Sequence, residues 1–465
     1  MKDFQFSTKL KDRLILDKDY SPIILGNLAY ELEVNKSINS TLIRISIERS
    51  DNQFYTTSCY IFNETYGFNE ANFIYVERLI KSLLWIKGGY RIYIGGSQYI
   101  SQRIKEAYTD NGLRDFDKNF MSKVYERDFD VIITNIENIP ETYEISKPLG
   151  RHLNGSRIGF DAGGSDRKVS AVVNGTTIFS EEVVWYPKEN SDPSYHYKGI
   201  MDSLNRAASK LDTIDAVGVS SAGIFINNRV AVASLFLKVP QDTFNEKVKN
   251  IYFDIQKKFN NIPLVVANDG DVTALAGAMS LDSDEVLGIA MGTSEAAGYI
   301  DNVGNITGWL NELAFVPVDY NQNSLLDEWS GDYGVGVKYF SQDAVIKLAG
   351  AANISFDNNL SPAEKLKFIQ NLVQNKDESA IEIFKTIGVY LGYSIAYYSR
   401  FYEIKNILIL GRVTSGLGGQ IILEEANKII KKTFPLLYNK IHLSLPDEKN
   451  RRVGQSVAAA SLPII

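Results

Sequence analysis

Cysteine is almost absent from this chain of 465 residues, which contains only Cys59. A single cysteine excludes an intrachain disulfide framework and a zinc site built from clustered cysteines. Basic residues are also in deficit, since 49 Lys and Arg stand against 56 Asp and Glu, for a net charge of −7. A chain without a basic excess has little with which to neutralise phosphates, so we expect no nucleic-acid partner.

Long apolar runs are missing too. None reaches the roughly 18–20 residues that a membrane helix needs, and the first twenty residues lack the basic-then-apolar pattern of a secretory signal. The composition, 45% hydrophobic and 23% charged, is typical of a globular protein. We therefore expect a cytoplasmic protein with no membrane partner, and a length of 465 residues suits two or three domains.

A connecting segment near residues 147–156 divides the chain, because it is rich in Pro, Gly and Asn and shows no apolar periodicity. Upstream of it, residues 23–62 alternate in the manner of β-strands, and apolar spacings of three and four predict a helix over 72–86. We predict an N-terminal α/β or α+β domain over residues 1–146, whose role the sequence does not indicate.

Downstream of this segment, residues 157–179 and 286–307 resemble each other, each with an apolar strand, a small-residue turn and a second strand. Their separation of about 130 residues indicates two similar half-domains, which we place at 157–284 and 285–465. Further strands alternate with helices, including one predicted over 243–259, so we expect largely parallel sheets covered by helices. Because the repeat closes within 157–465, we expect that part to fold alone.

Ligands in open α/β sheets bind at the carboxyl ends of the strands, and four predicted strand ends carry suggestive residues. Two are turns rich in glycine and hydroxyl residues: Asp161, Gly163, Gly164 and Ser165 in the first half, and Gly292, Thr293 and Ser294 in the second. Either turn alone could be an ordinary hairpin. Together they could hold a polyphosphate from both sides, because such turns let backbone N–H groups approach an anion.

The third strand end places Asn268 and Asp269 between an apolar strand and a helix. A carboxylate in this position suits a general base that deprotonates a sugar hydroxyl, and the alternative is that these residues only cap the helix. The fourth is a glycine-rich turn with Gly411 and Gly416, which could admit a nucleoside base.

These four elements, in this order, resemble the sugar kinases of the ROK family (repressors, open reading frames and kinases) over about residues 157–465. The first turn is similar to the phosphate motif D-x-G-G-T, with Ser165 in place of threonine. Asn268 and Asp269 are similar to the N-D pair of the motif E-N-D-A-N-A. Residues 218–223, G-V-S-S-A-G, resemble the strand end G-I-S-x-P-G beside the sugar pocket.

The second half continues the resemblance. Gly292, Thr293 and Gly298 match the second phosphate motif, and Gly411 and Gly416 stand where the family has its adenosine motif. Glu312 aligns with the glutamate of the sugar-contacting motif G-E-x-G-H.

The resemblance implies the actin-like ATPase fold, in which two ribonuclease-H-like halves hinge around ATP. It also implies ATP-dependent phosphorylation of a hexose or related sugar, with ATP and Mg²⁺ as cofactors, a small sugar and ATP as partners, and a homodimer left open. Asp161 would position Mg²⁺ through water, and Asp269 would be the base. The predicted sugar contacts are Ser221, Gly223, Asn268 and Glu312.

Two departures from the family pattern stand out. Phe315 replaces the histidine that contacts the sugar and binds zinc, and the cysteines that complete that site are missing, so we expect no zinc. Glu295 occupies a position in the second phosphate turn where glycine is usual, and its charge would repel ATP unless it turns away or meets Mg²⁺. A non-catalytic sugar or nucleotide sensor, or a kinase for a different small acceptor, therefore remains an alternative.

Overall fold

The computed structural model describes residues 4–6, 10, 14–50, 52–146, 148–357, 359–446 and 453–465, so that Lys147 of the predicted connection lies outside the described residues. The N-terminal region has the elements α1 (Ile23–Lys36), β1 (Ser40–Ser50), β2 (Gln53–Phe62), α2 (Asn69–Lys87), β3 (Arg91–Gly95), α3 (Gln98–Ala107), α4 (Asp115–Tyr125) and β4 (Asp130–Ile133). The sheet order is β2-β1-β3-β4, with β3 and β4 parallel and the other pairs antiparallel.

The prediction of β alternation over residues 23–62 is wrong for α1. Its buried side chains include Ile23, Asn27, Tyr30 and Val34, which are three or four residues apart and so lie on one helix face. The segment is apolar on other faces as well, which hides the helical period in the sequence.

The first half after the connection has the elements β5 (Ser156–Ala162), β6 (Asp166–Val173), β7 (Thr176–Val184), α5 (Pro193–Ala208), β8 (Ala216–Ser221), β9 (Ile224–Ile226), β10 (Arg229–Val232), α6 (Gln241–Thr243), α7 (Ile251–Lys258), β11 (Leu264–Asn268) and α8 (Asp269–Leu281). Its five-stranded sheet has the order β11-β8-β5-β6-β7. The three adjacent strands β5, β8 and β11 are parallel, so their carboxyl ends lie on the same side of the sheet.

The second half repeats this order in a shorter form. Its elements are β12 (Val286–Met291), β13 (Glu295–Ile300), α9 (Gln342–Ala351), α10 (Pro362–Gln374), α11 (Glu378–Tyr398), β14 (Asn406–Leu410), α12 (Leu417–Thr433), α13 (Pro435–Tyr438), β15 (His442–Ser444) and α14 (Val453–Ala460). The sheet order β13-β12-β14-β15 corresponds to β6-β5-β8-β11. The predicted duplicated α/β fold is confirmed, and no helix among the described residues is long and apolar enough to cross a membrane.

The helix predicted over 243–259 is interrupted. A π-helical turn, Phe244–Val248, follows α6, and α7 begins only at Ile251. Within this turn the Lys249 N–H bonds to the Phe244 carbonyl, five residues back, at 3.0 Å. The apolar spacing continues through the interruption, which explains why the sequence does not reveal it.

The last helix, α14, returns to the first half and packs against β5 and β8. Two glycines permit this contact. A Cβ on Gly159 would lie 1.8 Å from the Ser456 carbonyl oxygen, and one on Gly218 would lie 1.6 Å from that of Ala459. The structural unit around the first sheet therefore includes the end of the chain.

The N-terminal region and the second half share one hydrophobic core. Ile45, Ile80 and Trp85 belong to the same buried cluster as Leu313 and Tyr398. The last turn of α2 also pairs with the segment before a 3₁₀ helix, Leu313–Phe315, of the second half. This packing argues against our expectation that residues 157–465 fold alone, since their removal from the N-terminal region would expose half of a shared core.

A buried charge cluster reinforces that junction. The Asp332 carboxylate of the second half accepts hydrogen bonds from Arg78 at 2.7 and 3.1 Å and from Arg114 at 2.7 Å. The Lys81 ammonium lies 3.3 Å from the same carboxylate. These three cations hold the pKa of Asp332 far below its usual range, although burial acts in the opposite direction.

Asp332→Asn should destabilise the protein by about 3–5 kcal/mol, because only Glu77 and Asp117 would remain to balance three buried cations, and one positive charge would be left uncompensated. Denaturant unfolding measures the change. The matched control is Glu33→Gln, which breaks the solvent-exposed pair between Glu33 and Lys36 and should cost at most about 1 kcal/mol. Equal losses in the two variants would contradict the role of this cluster.

Candidate active site

The first predicted phosphate turn joins β5 to β6 and is fixed by one tryptophan. The Trp185 backbone N–H donates to the Ser165 carbonyl at 3.1 Å, and its indole N–H donates to the Gly163 carbonyl at 2.8 Å. Three residues later, Lys188 lies against the turn, since a Cβ on Gly164 would be 3.3 Å from its Nζ. The turn thus has a rigid backbone and a cation at its side.

Asp161 stands at the end of β5 beside this turn. Its Oδ1 accepts hydrogen bonds from Ser220 at 2.8 Å and from Gln455 of α14 at 3.2 Å. No donor in the described part of the chain bonds Oδ2, which leaves that oxygen for a ligand. Burial, with a smaller contribution from the Asp269 charge, raises the pKa of Asp161 to about 6.

The neighbouring strands β8 and β11 end at the same edge, with Ser221 paired to Asn268. Asn268 braces this edge. Its Nδ2 donates to the Gly223 carbonyl at 2.7 Å, and its Oδ1 accepts from the Gly270 N–H at 2.7 Å. Gly223 has φ +136°, and a Cβ there would lie 2.4 Å from the Val232 carbonyl oxygen, so this turn requires glycine.

Asp269 is the first residue of α8 and directly follows this edge. Its Oδ1 accepts from the Gly270 N–H at 3.0 Å. Burial raises the pKa of Asp269, while the Gly270 N–H and the Lys188 charge act to lower it. A carboxylate with a raised pKa is a stronger base than an exposed one.

Close backbone contact brings α8 against the second half. A Cβ on Gly270 would lie 2.3 Å from the Ala297 carbonyl oxygen, and one on Gly298 would lie 2.2 Å from that of Gly270. Asp269 is therefore held where the two halves meet.

Two further acidic residues face Asp269. Asp271 accepts from the Asn311 side chain at 2.9 Å and from the Tyr299 N–H at 3.3 Å, and burial raises its pKa to about 7. Burial, with repulsion from Asp269 and Asp271, raises the pKa of Glu312 to about 8. Glu312 thus belongs to the same group of charges as the predicted base.

Glu295 does not extend from the second phosphate turn towards solvent. Its side chain is 3% exposed, and neither carboxylate oxygen has a hydrogen-bond partner among the described residues. One oxygen lies close to Gly336, where a Cβ would be 2.3 Å away. Burial, together with the charge of Glu312, raises the pKa of Glu295 well above its usual range. Both effects favour the protonated form of the carboxyl group, which would not repel ATP.

The second phosphate turn and the glycine-rich turn lie side by side, because β12 and β14 are parallel neighbours. The Gly292 carbonyl accepts from the Gln342 N–H at the start of α9 at 2.9 Å. Gly411 has φ +102°, and a Cβ there would lie 2.2 Å from the Met291 carbonyl oxygen. Gly416, with φ +67°, precedes α12. The residues predicted to hold nucleotide in this half, with Thr293 and Ser294, thus meet at one sheet edge.

Phe315, which stands where the family has a zinc-binding histidine, packs against an aromatic side chain of the N-terminal region. Its ring stacks on that of Trp85 from α2, with centroids 4.2 Å apart. No three His, Cys, Asp or Glu side chains are arranged to hold a metal ion in the ranges that the structure describes.

The sequence reasoning missed Lys188, Asn311 and Gln455. The fold brings each of these residues to the site, and none of them belongs to the motifs that identified the other residues. The only sequence signal for Lys188 is its position shortly after β7, the strand that ends beside the first turn.

Comparisons with known proteins agree with this architecture. The model of the ROK family matches residues 157–450. A ROK family transcriptional regulator, a homologue of the E. coli Mlc protein, is 17% identical with a TM-score of 0.51, over 67% of this chain and 79% of that one. The ROK hexokinase from Thermus thermophilus is 14% identical with a TM-score of 0.50, over 65% and 97% of the two chains.

A ROK family glucokinase from Streptomyces griseus, in complex with glucose and AMPPNP, is 18% identical with a TM-score of 0.47, over 66% and 98% of the two chains. No curated protein sequence matches.

The fold and the paired strand-end turns define a protein of the actin-like ATPase fold, with two ribonuclease-H-like halves. Within that class, the chain belongs to the ROK family, whose model matches more than half of its length.

Glu295→Gln should change stability in a pH-dependent way. The folded protein keeps a proton on Glu295 at pH values where the unfolded chain has lost it, so the wild-type free energy of unfolding falls as pH rises above about 4.5. Glutamine removes this contribution. The variant should match the wild type in melting temperature at pH 5 and exceed it at pH 8. The exposed Glu424→Gln variant controls for the lost charge, and a difference independent of pH would contradict the account.

Proposed function

We propose that the protein transfers a phosphoryl group from ATP to a hydroxyl of a hexose or related sugar. The observation that carries this proposal is the position of Asp269, which starts α8 at the edge of the first sheet, where Gly270 lies against Ala297 of the second half. Its charge interacts with those of Asp161, Lys188 and Glu312. A base between a cationic phosphate turn and a further hydrogen-bonding carboxyl group is the arrangement that this transfer needs. The reaction suits a cytoplasmic protein, where ATP is available.

The residues at the nucleotide side fit ATP with Mg²⁺. Gly163, Gly164 and Ser165 would bind phosphate oxygens on one side, with Gly292, Thr293 and Ser294 on the other. Asp161 would hold Mg²⁺ through water, since Mg²⁺ usually combines one or two carboxylates with waters and substrate phosphates. ATP·Mg²⁺ supplies the phosphoryl group and neutralises charge when bound. Gly411 and Gly416 would border the adenosine.

On the acceptor side, Glu312 would hydrogen-bond a sugar hydroxyl, and Ser221 and Gly223 would line the pocket. Asn268 would act chiefly by bracing the Gly223 turn, because both of its polar groups already bond to the backbone. Asp269 would accept the proton of the attacking hydroxyl through its carboxylate. Its raised pKa favours this proton transfer.

Lys188 would stabilise the negative charge of the transferred group. No carboxylate in the described part of the chain lies within ion-pair distance of its Nζ, although the site is rich in acids. A cation that neutralises the transferring phosphoryl group contributes up to about 10³–10⁵-fold in related phosphoryl transfers.

Asp269→Asn should lower turnover by at least about 10²–10⁴-fold, the usual contribution of general-base catalysis. Asparagine keeps the shape of the side chain, and the N-cap of α8 is the unchanged Asn268, so sugar affinity and melting temperature should change little. A coupled ADP-release assay, sugar titration and thermal unfolding give the three readings. Asp254→Asn, at an exposed pair on α7, is the matched control. Near-normal turnover in Asp269→Asn would refute the assignment.

Lys188→Gln should lower kcat by about 10²-fold or more, with a smaller effect on the sugar KM, because the cation acts on the phosphoryl group. Steady-state kinetics with ATP and sugar varied separately measures both. The exposed Lys198→Gln on α5 is the matched control. Loss of sugar affinity with unchanged kcat would contradict this role.

A non-catalytic regulator is the second candidate, because the ROK fold also occurs in the transcriptional regulator described above. If this second function is correct, the wild-type protein binds sugar or nucleotide but releases no more ADP than a control reaction without protein.

A further inference from the structure

A cavity of about 420 Å³ lies between the N-terminal region and the second half of the core. Its lining includes Tyr55 of β2, Lys87 at the end of α2 and Trp309, which follows β13. Small-molecule sites in proteins have volumes of roughly 300–1,000 Å³. None of the residues predicted to bind nucleotide or sugar lines this cavity, so it is distinct from the candidate active site and large enough for a ligand of its own.

Lys87 places a buried cation in this cavity. The residue is 2% exposed, and its Nζ donates to the Phe401 carbonyl at 2.9 Å. The same Nζ lies 3.0 Å from the centroid of the Trp309 ring and 4.3 Å from that of Tyr55. No carboxylate among the described residues lies within ion-pair distance of it. Burial lowers the pKa of Lys87 to about 7, as expected for an ammonium group without a counter-ion.

Glu403, which follows α11, brings a carboxylate to the same cavity. Its exposed side chain forms no ion pair in the part of the chain that the structure describes. The neighbouring cations pair with other acids, Arg400 with Glu31 and Lys405 with Glu285. The charge of Glu403 acts to raise the pKa of Lys87, so the two groups interact across the cavity.

The other two acids of the lining are already engaged. Glu144 lies 3.3 Å from Arg49. The carboxylate of Asp301 accepts from two backbone N–H groups of its own turn, at 3.0 and 2.8 Å. Lys87 and Glu403 therefore remain as the cation and the anion with which a ligand would pair.

The cavity shares a wall with the candidate active site. Tyr299 and Tyr402 belong to its lining. The Tyr402 hydroxyl donates to Oδ1 of Asn311 at 3.0 Å, and the Tyr299 N–H donates to the Asp271 carboxylate at 3.3 Å. A ligand in the cavity would therefore contact the residues that hold Asn311 and Asp271 in place.

We propose that this cavity binds a small zwitterion, an α-amino acid with an aromatic side chain. Its carboxylate pairs with Lys87, its ammonium group pairs with Glu403, and its ring packs against Tyr55 and Trp309. An acid without an ammonium group leaves Glu403 unpaired, and an amine without a carboxylate leaves Lys87 unpaired. A neutral sugar satisfies neither charge.

Isothermal titration calorimetry of the full chain with L-phenylalanine, L-tyrosine and L-tryptophan tests the proposal. At least one of them should bind in a 1:1 ratio. The tightest is then compared with the amine that lacks its carboxylate and the acid that lacks its amino group, which for phenylalanine are phenethylamine and 3-phenylpropionate. The amine should bind at least about tenfold more weakly, since it loses a buried charge-assisted contact. The acid should bind about two- to fivefold more weakly, because Glu403 is exposed.

Two variants locate the site. Lys87→Met keeps the apolar stem and should bind the amino acid and the amine with equal affinity. Glu403→Gln should bind the amino acid and the acid with equal affinity, and its exposed position allows the test even where Lys87→Met fails to fold. The matched control is Glu424→Gln at an exposed position of α12, which should keep the wild-type affinities.

The proposal is overturned by a wild type that binds none of the three amino acids, or that binds the amine or the acid as tightly as the amino acid. A folded Lys87 or Glu403 variant with wild-type affinities also overturns it. The readout is binding at a separate cavity, so the result does not depend on phosphoryl transfer.

Discussion

The buried carboxylate of Asp332 is the constraint on which the rest of this structure depends. It lies in the second half of the ROK core and, together with Glu77 and Asp117, balances the charges of Arg78, Lys81 and Arg114 of the N-terminal region. Separation of the two regions would break these ion pairs and expose the apolar surface of the shared core to water, and both effects oppose it. The same junction fixes the end of α2, and through two backbone hydrogen bonds it fixes the segment that presents Glu312. The N-terminal region thus structurally supports the segment that carries Glu312.

The site itself is dominated by one sign of charge. Asp161, Asp269, Asp271, Glu295 and Glu312 all have raised pKa values, and burial is the largest cause for each. Such a concentration of buried acids favours the binding of a divalent cation, and the phosphates of a nucleotide would need that cation to offset their own negative charge. Lys188 is the protein's own contribution of opposite sign. Glu295, the departure that argued most against nucleotide binding, is buried beside Gly336, and its burial favours the protonated form, so this residue does not rule out nucleotide binding.

The duplicated fold could be predicted from the sequence because the motifs that indicate it are short and continuous in the chain. Asp161 with its glycines and Asn268 with Asp269 are short motifs at strand ends, and the structure brings the first-half motifs to one sheet edge and the turns of the second half to another. Other features depend on long-range packing and have no local signal. The α1 helix is apolar on several faces, so its period is obscured, and the shared core with the N-terminal region involves residues far apart in sequence. Lys188 and Asn311 reach the site only because Trp185 and α2 position their segments.

Phosphoryl transfer by the wild-type protein tests the central claim most directly. The protein would be incubated with ATP, Mg²⁺ and a panel of hexoses and N-acetylated hexosamines. Phosphorus NMR would identify the products, and ADP release would be measured in parallel. The account predicts a phosphorylated sugar formed in equal amount to ADP, with ADP release that depends on the sugar. Binding of ATP and sugar with no phosphorylated product, across hexoses and substituted sugars alike, would contradict it.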